Sequence, residues 1–166
     1  MKTDGQVLDE AISHLERDGV WCQGTWAKTP TNESPGFDEI LANQDKVIGM
    51  CAEGAIRMAA EWFDSQKALI DLGPLPAEPI QLRSNNIWRQ VNRIESLVAN
   101  KLGEIRADVR QALVAAYQGG WDGDIDFPLL SEDNLVFSLH ELNDHDTMRG
   151  SDIVLAMKHA RAELSE

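Results

Sequence analysis

The sequence has few cysteines, no long apolar run and little positive charge, and each shortage excludes a class of protein. Only two of its 166 residues are cysteine, Cys22 and Cys51, which is too few for a disulfide-rich secreted scaffold. No apolar run approaches the roughly 18 to 20 residues that cross a bilayer. Because the N-terminal segment also lacks the apolar core of a signal peptide, we expect a cytoplasmic protein without a membrane role.

Basic residues are outnumbered by acidic ones. The chain has 15 Lys and Arg against 28 Asp and Glu, which gives a net charge of −13 and an isoelectric point near 4.6. No basic cluster is long enough to contact a phosphate backbone, so we do not expect direct binding to nucleic acid. An acidic surface instead favours solubility, or a partner that is itself a DNA-binding protein.

The remaining composition is that of one soluble globular domain over residues 1–166. Hydrophobic residues make up 43% of the chain and charged residues 26%. The periodicity predicts a mainly α protein, a single compact domain of four or five helices. Any sheet is expected as short pairings near Val20 to Thr25 and near Leu135 to Leu139.

The clearest predicted element is an amphipathic helix over residues 47–63. One face is apolar and contains small residues at its centre, whereas the other is polar. The apolar face comprises Val47, Cys51, Gly54, Ala55, Met58 and Trp62, and the polar face comprises Glu53, Arg57, Glu61 and Asp64. The small residues predict that another backbone or an aromatic ring approaches this helix closely.

Further helices are predicted on both sides of it. Thr3 and Gln6 form a capping-box pattern ahead of the first helix, and a last helix begins near Ser151. A helical stripe over residues 84–118 predicts one long helix or two, with a break near Asn100 to Gly103. If this stripe projects, it is expected to bind a second copy of the chain, which predicts a homodimer. The proline-rich residues 71–80 are predicted to be a linker.

Three separated motifs resemble a known family. They are Trp21 to Gly24 (WCQG) after the first helix, Cys51 to Ala55 (CAEGA) at a helix, and Asn143-Asp144 before the last helix. In this order they resemble a small, functionally uncharacterised domain family of actinobacteria, other bacteria and their phages. The resemblance implies an α-helical domain with a core from residues 1–65 and 134–166 and an insertion over residues 66–133. It also implies a phage or mobile-element origin, and it implies no activity.

A catalytic hypothesis follows from four residues. Papain-like hydrolases use a glutamine, a cysteine, a histidine and an asparagine in that chain order, which here would be Gln23, Cys51, His140 and Asn143. The alternative is structural, because Cys51 falls in the second turn of the predicted helix, on its apolar face. A buried thiol there has a raised pKa and behaves as a small hydrophobic group.

No metal or cofactor is predicted. The cysteines and histidines do not have the spacing of a zinc site, and the acidic loop of Asp122, Asp124 and Asp126 lacks the glycine and glutamate positions of a calcium loop. We interpret that loop as a solvated acidic segment.

The Asn143 turn has two interpretations. Asp146 or Thr147 is expected to cap the last helix, and the turn is expected to pack onto Trp21 or Cys51, which would bring the three motifs together. It could also form a ligand pocket, for which the candidates are Trp21, Gln23, Glu53, Asn143 and Asp144. The leading functional hypothesis is an accessory protein, derived from a phage or mobile element, that binds another protein. The alternatives are a small cysteine-dependent hydrolase or transferase using Cys51 and His140, and a small-ligand binder.

Overall fold

The computed structural model describes residues 1–17, 19–73, 78–119 and 137–164, and within these ranges the protein is mainly α-helical, as predicted. Eight α-helices are described where four or five were expected. Two predicted long helices are each divided, and the short helix Leu139–Asn143 was not predicted. The elements are α1 (Asp4–Leu15), β1 (Ala27–Lys28), α2 (Phe37–Ala42), a 3-10 helix (Gln44–Lys46), β2 (Gly49–Met50), α3 (Ala52–Ala59), α4 (Trp62–Leu72), α5 (Glu78–Ile105), α6 (Ala107–Gly119), α7 (Leu139–Asn143) and α8 (Gly150–Glu163).

The capping box that the sequence predicts is present at the start of α1. The Thr3 hydroxyl accepts a hydrogen bond from the Gln6 backbone N–H at 3.2 Å, and the Gln6 side chain accepts one from the Thr3 backbone N–H at 2.9 Å. These two bonds satisfy backbone donors that a helix start leaves free. The apolar face of α1 is buried through Val7, Leu8, Ala11, Ile12 and Leu15.

The sheet is smaller than expected and lies elsewhere. β1 pairs antiparallel with β2, and a single bridge joins Trp21 to Met50. A pairing near residues 20–25 was therefore correctly predicted only in part. The strand predicted over residues 135–139 is wrong at Leu139, which begins α7 behind a Ser138 capping box; residues 135 and 136 lie outside the described residues.

The predicted helix over residues 47–63 is wrong at its start and is divided in the middle. Residues 48–50 are extended, because the Ile48 N–H donates to the Lys28 carbonyl at 2.8 Å and the Met50 N–H donates to the Val20 carbonyl at 2.7 Å. These backbone N–H groups are therefore not available for the hydrogen bonds of a helix. α3 begins only after Cys51, and Glu61, at a left-handed φ of 60°, separates α3 from α4.

The long helical stripe is also divided, but at Arg106 and not within residues 100–103. α5 has 28 residues and is about 42 Å long at 1.5 Å per residue. It begins at Glu78 and α4 ends at Leu72, so the linker prediction is wrong at residues 71–72 and 78–80. Pro79 lies in the first turn of α5. Proline is tolerated there because the first turn of a helix needs no backbone donor. Residues 74–77 lie outside the described residues.

The core forms where α5 packs against α8, α4, α7 and α1, and where α1 packs against α3 and α8. The stripe of α5 is buried inside the chain and does not project, which removes the reason for which a homodimer was predicted through it. Its buried residues include Ile87, Val91, Ile94, Val98 and Leu102. No helix in the described ranges is both long enough and apolar enough to span a membrane.

Candidate functional site

Asn143 joins the three sequence motifs. Its side chain is 0% exposed, and its Oδ1 accepts hydrogen bonds from the Trp21 indole N–H at 3.1 Å and from the Ala52 backbone N–H at 3.2 Å. Its Nδ2 donates to the Cys22 carbonyl at 3.4 Å and to the Asp144 carboxylate at 2.7 Å. The amide therefore holds the WCQG segment, the start of α3 and the end of α7 together.

Gln23 and Asp144 complete this junction from both sides. The Gln23 Nε2 donates to the backbone carbonyls of Asn143 and His145, at 2.7 and 2.9 Å, and Asp144 accepts from the Gly24 backbone N–H at 3.0 Å. The expectation that the three motifs meet is thus confirmed. Because these polar groups bond to one another and to backbone, they hold three distant segments of the fold together. The cap predicted for the last helix at Asp146 or Thr147 is wrong, because α8 has Arg149 at its N-cap and no side-chain cap.

Gly54 allows the backbone at Trp26, two residues after WCQG, to approach α3. A Cβ atom on Gly54 would overlap the carbonyl oxygen of Trp26, and the Cys51 N–H donates to that same oxygen at 3.2 Å. The close backbone approach that the small residues of this helix predict is therefore present.

Cys51 caps α3 and is not positioned as a nucleophile. Its sulfur accepts a hydrogen bond from the Gly54 N–H at 3.3 Å, its exposed fraction is 1%, and burial raises the pKa of its thiol to about 12. An activated cysteine requires the thiolate, so this environment acts against reactivity. His140 is half-exposed and lies 3.5 Å from the Asp144 carboxylate. Gln23 and Asn143 are bonded within the junction, and His140 pairs with Asp144. Among the described residues, no hydrogen bond joins Cys51 to His140.

A cleft of about 480 Å³ opens beside the junction, between the WCQG segment, α2 and α7. Its wall is mostly apolar and aromatic, with one buried carboxylate and one histidine. It is lined by Gly24, Thr25, Trp26, Pro35, Phe37, Ile40, Glu53 and His140. Of the five ligand-binding candidates from the sequence, only Glu53 lines this cleft.

Glu53 is 8% exposed and belongs to a buried charge cluster, although the helical pattern had predicted it on a polar outer face. Its Oε2 accepts a hydrogen bond from the Trp26 indole N–H at 3.2 Å and lies 3.4 Å from the Arg57 guanidinium. The guanidinium also bonds to Glu95 on α5, at 2.9 Å. Two carboxylates thus share one cation, and burial raises the pKa of Glu95 despite the neighbouring Arg57.

Aromatic rings surround this charge cluster. The Arg57 guanidinium lies 4.6 Å from the ring centroid of Trp26, 5.2 Å from that of Trp62 and 5.9 Å from that of Trp88. Arg57 therefore contributes cation–π contacts in addition to its ion pairs. A second cleft of about 300 Å³ lies on the other side of Glu53. It is lined by Glu53, Asn92, Glu95, Ser96, Ala99, Phe137, Ser138 and Leu139.

Sequence reasoning did not identify Arg57, Glu95 or Phe37 as part of a site. The spacing of Glu53 and Arg57, four residues apart, does indicate an ion pair on one helical face. It does not reveal that three tryptophans and α5 cover that face. Within the part of the chain that the structure describes, no three His, Cys, Asp or Glu side chains are grouped to hold a metal ion. The predicted acidic loop at residues 122–126 lies outside that part.

No protein with a curated description and no solved structure matches this chain. Its residues 1–77, by contrast, match a family of unknown function (DUF6197). The match includes WCQG and CAEGA and extends through α4, whereas the Asn143 turn lies outside it. The resemblance to an uncharacterised domain family is thus supported for α1 to α4, and the N-terminal part of the chain is similar to DUF6197.

Proposed function

We propose that this protein acts without catalysis, by binding a basic side chain of another protein in the cleft beside Glu53. One observation carries the proposal: a carboxylate that is 8% exposed lines an aromatic cleft of about 480 Å³. Among the described residues, the cluster behind it pairs two carboxylates with one guanidinium, so with both carboxylates ionised it has one negative charge in excess. Buried charges are stable when they are paired, and an entering cation would supply the missing partner.

The chemistry of the cleft fits a lysine or arginine head group on an aliphatic stem. The Trp26 and Phe37 rings line the cleft and offer apolar surface for the stem. The Glu53 carboxylate offers a charge-assisted hydrogen bond, which is stronger than a neutral one. The volume lies within the range of about 300 to 1,000 Å³ that is usual for ligand sites.

The charge of the whole molecule favours the same partner. A net charge of −13 attracts basic surfaces over a distance and raises their association rate at low salt. This long-range attraction supports a protein partner more than a neutral small molecule. A phage or mobile-element origin and a cytoplasmic location stay predictions, and the neighbouring genes and a cell fractionation would test them.

Two matched peptides test the proposal on the full chain. The first is acetyl-Gly-Lys-Gly-amide, and the second replaces lysine by norleucine, which has the same aliphatic stem without the ammonium. We expect the lysine peptide to shift the indole N–H resonance of Trp26 in a ¹H–¹⁵N spectrum, with a dissociation constant of about 1 mM or lower. Norleucine should bind at least about tenfold more weakly.

Two variants of equal charge change complete the test. Glu53→Gln should weaken the lysine peptide at least about tenfold. Asp38→Asn, on the exposed side of α2 and outside the cleft, should leave its affinity unchanged. Equal binding of both peptides, or unaltered binding by a folded Glu53→Gln protein, would contradict the proposal.

A further inference from the structure

Exposed apolar side chains concentrate on α4 and the first half of α5. Seven large hydrophobic residues of the described ranges are exposed, and four of them belong to these two helices: Ile70, Leu72, Leu82 and Trp88. We call the outer faces of residues 61–73 and 78–93 the hairpin surface. Monomeric proteins rarely leave several large apolar groups together in water, so such a surface indicates an interaction site.

A groove runs between the two helices of the hairpin surface. It has a volume of about 290 Å³ and is lined by Trp62, Gln66, Leu69, Ser84, Asn85 and Trp88. The helices on either side are held in place, because Arg83 bonds to Glu61 at 3.0 Å and Gln66 bonds to Ser84 at 3.1 Å. The groove is therefore a preformed feature of a helix pair that packs against the core.

The charge of this surface differs from that of the rest of the molecule. Residues 61–93 have no net charge, because the basic Lys67, Arg83, Arg89 and Arg93 balance the acidic Glu61, Asp64, Asp71 and Glu78. The whole net charge of −13 therefore resides outside this segment. Two copies of the chain would repel one another through most of their surfaces, but not through the hairpin surface.

The charges within the surface are also divided between its helices. Three of the four basic residues lie on α5, whereas Asp64 and Asp71 lie on α4. Arg89 is exposed and has no ion pair among the described residues, while Lys67, Arg83 and Arg93 each have one within the chain. In a two-fold arrangement that places each α5 against the α4 of the other copy, every contact occurs twice. The α5 segment, with three basic residues and Glu78, would then face α4, with Asp64, Asp71 and Lys67.

We propose that the hairpin surface is a homodimer interface, in which a second copy of this chain covers Leu82 and Trp88. The apolar groups supply the driving force, and the balanced charge permits the approach. This dimer differs from the one that the sequence predicted, because it uses the exposed outer face of α5 and not its buried stripe. It is independent of the proposed cleft, which lies beside α2 and α7.

Two leucines allow a matched test by light scattering and sedimentation. Leu82 is 58% exposed on the hairpin surface, and Leu155 is 43% exposed on α8. We expect the full chain to dimerise with a dissociation constant between about 1 µM and about 1 mM. Leu82→Glu should weaken the dimer at least about tenfold, and Leu155→Glu should not. Because both side chains are exposed, both variants should keep the circular dichroism spectrum of the parent.

Salt and quenching provide independent readings. Raising ionic strength from about 0.05 M to about 0.5 M screens the repulsion between the acidic surfaces and should strengthen the dimer, whereas it should weaken the binding of the lysine peptide in the Glu53 cleft.

Acrylamide quenching of Trp88 fluorescence, taken as the difference between the parent and Trp88→Phe, should fall as the protein concentration rises. A chain that stays monomeric at about 1 mM, or a dimer that Leu82→Glu and Leu155→Glu affect equally, would overturn the proposal.

Discussion

The burial and position of its sulfur atom determine whether Cys51 can act as a nucleophile. The sequence shows a cysteine three residues before a glycine on a helical pattern, and this fits both a nucleophile at a helix start and a buried apolar residue. The structure shows both features at once. Cys51 does stand at a helix N-terminus, yet its burial raises the pKa of the thiol to about 12, which outweighs the help of the helix dipole.

The rate of alkylation tests whether burial outweighs the helix dipole at the Cys51 thiol. We expect both thiols of the folded protein to react with iodoacetamide at neutral pH at least about a hundredfold more slowly than after unfolding in urea, because the thiolate is the reactive form. Cys22, whose pKa burial raises to about 11, serves as the internal comparison. Mass spectrometry of the labelled peptides distinguishes the two sites. Rapid labelling of Cys51 alone in the folded protein would restore the hydrolase hypothesis.

Helix boundaries were the least predictable feature at the scale of the elements. Local periodicity correctly indicated the apolar faces of α1 and α5, because helical spacing records which residues face the core. It could not indicate that residues 48–50 bond to Lys28 and Val20, since such pairing is decided by distant backbone. It also could not indicate that Glu53 and Arg57 are buried, because α5 and the tryptophans that cover them are separate in the sequence.

The contact between α3 and α5 leads to a prediction about pH. Burial raises the folded-state pKa of Glu95 above its ordinary value of 4.5, so folding favours its protonated form. The contribution of Glu95 to stability therefore improves as the pH falls from 7 toward the unfolded-state pKa, and it does not change further below that value. The stability of the parent relative to Glu95→Gln should accordingly rise over this window.

Urea unfolding at several pH values gives the comparison. Glu104→Gln is the control on the same helix, since Glu104 is exposed and pairs only with Lys101 in the described ranges. The rise in relative stability at lower pH should be larger for Glu95→Gln than for this control. The prediction fails if the stability difference between the parent and Glu95→Gln does not depend on pH. The Glu95 carboxylate would then be better solvated than the 12% exposure of its side chain indicates.

For the molecule as a whole, the junction around Asn143 was the best predicted part of the candidate site, and the cleft was the least well predicted part. The order of WCQG, CAEGA and Asn143 indicated that three distant segments meet, and they do meet through hydrogen bonds. The cleft depends on how α2 and α7 lie beside Trp26, and neither short helix has a strong signal of its own. The sequence therefore predicted the junction and missed the space beside it.

Removing the Asn143 side-chain amide should lower the free energy of unfolding of the whole chain. Asn143→Ala leaves the Trp21 indole N–H and the Ala52 backbone N–H without a partner, and each unpaired buried donor costs about 1 to 3 kcal/mol. We expect the free energy of unfolding in urea to fall by about 2 to 5 kcal/mol in total. Asn100→Ala, an exposed change on α5, should alter it by less than about 0.5 kcal/mol.

The same experiment tests whether the chain is a single domain. Asn143 joins segments that are about 120 residues apart, and the core contains side chains from both the family-like part and α5. Tryptophan fluorescence and far-ultraviolet circular dichroism should therefore show coincident transitions, in the parent and in Asn143→Ala alike. Two separated transitions, with the first removed by Asn143→Ala, would instead mean that residues 1–77 and the C-terminal helices unfold independently and that Asn143 only fastens them together.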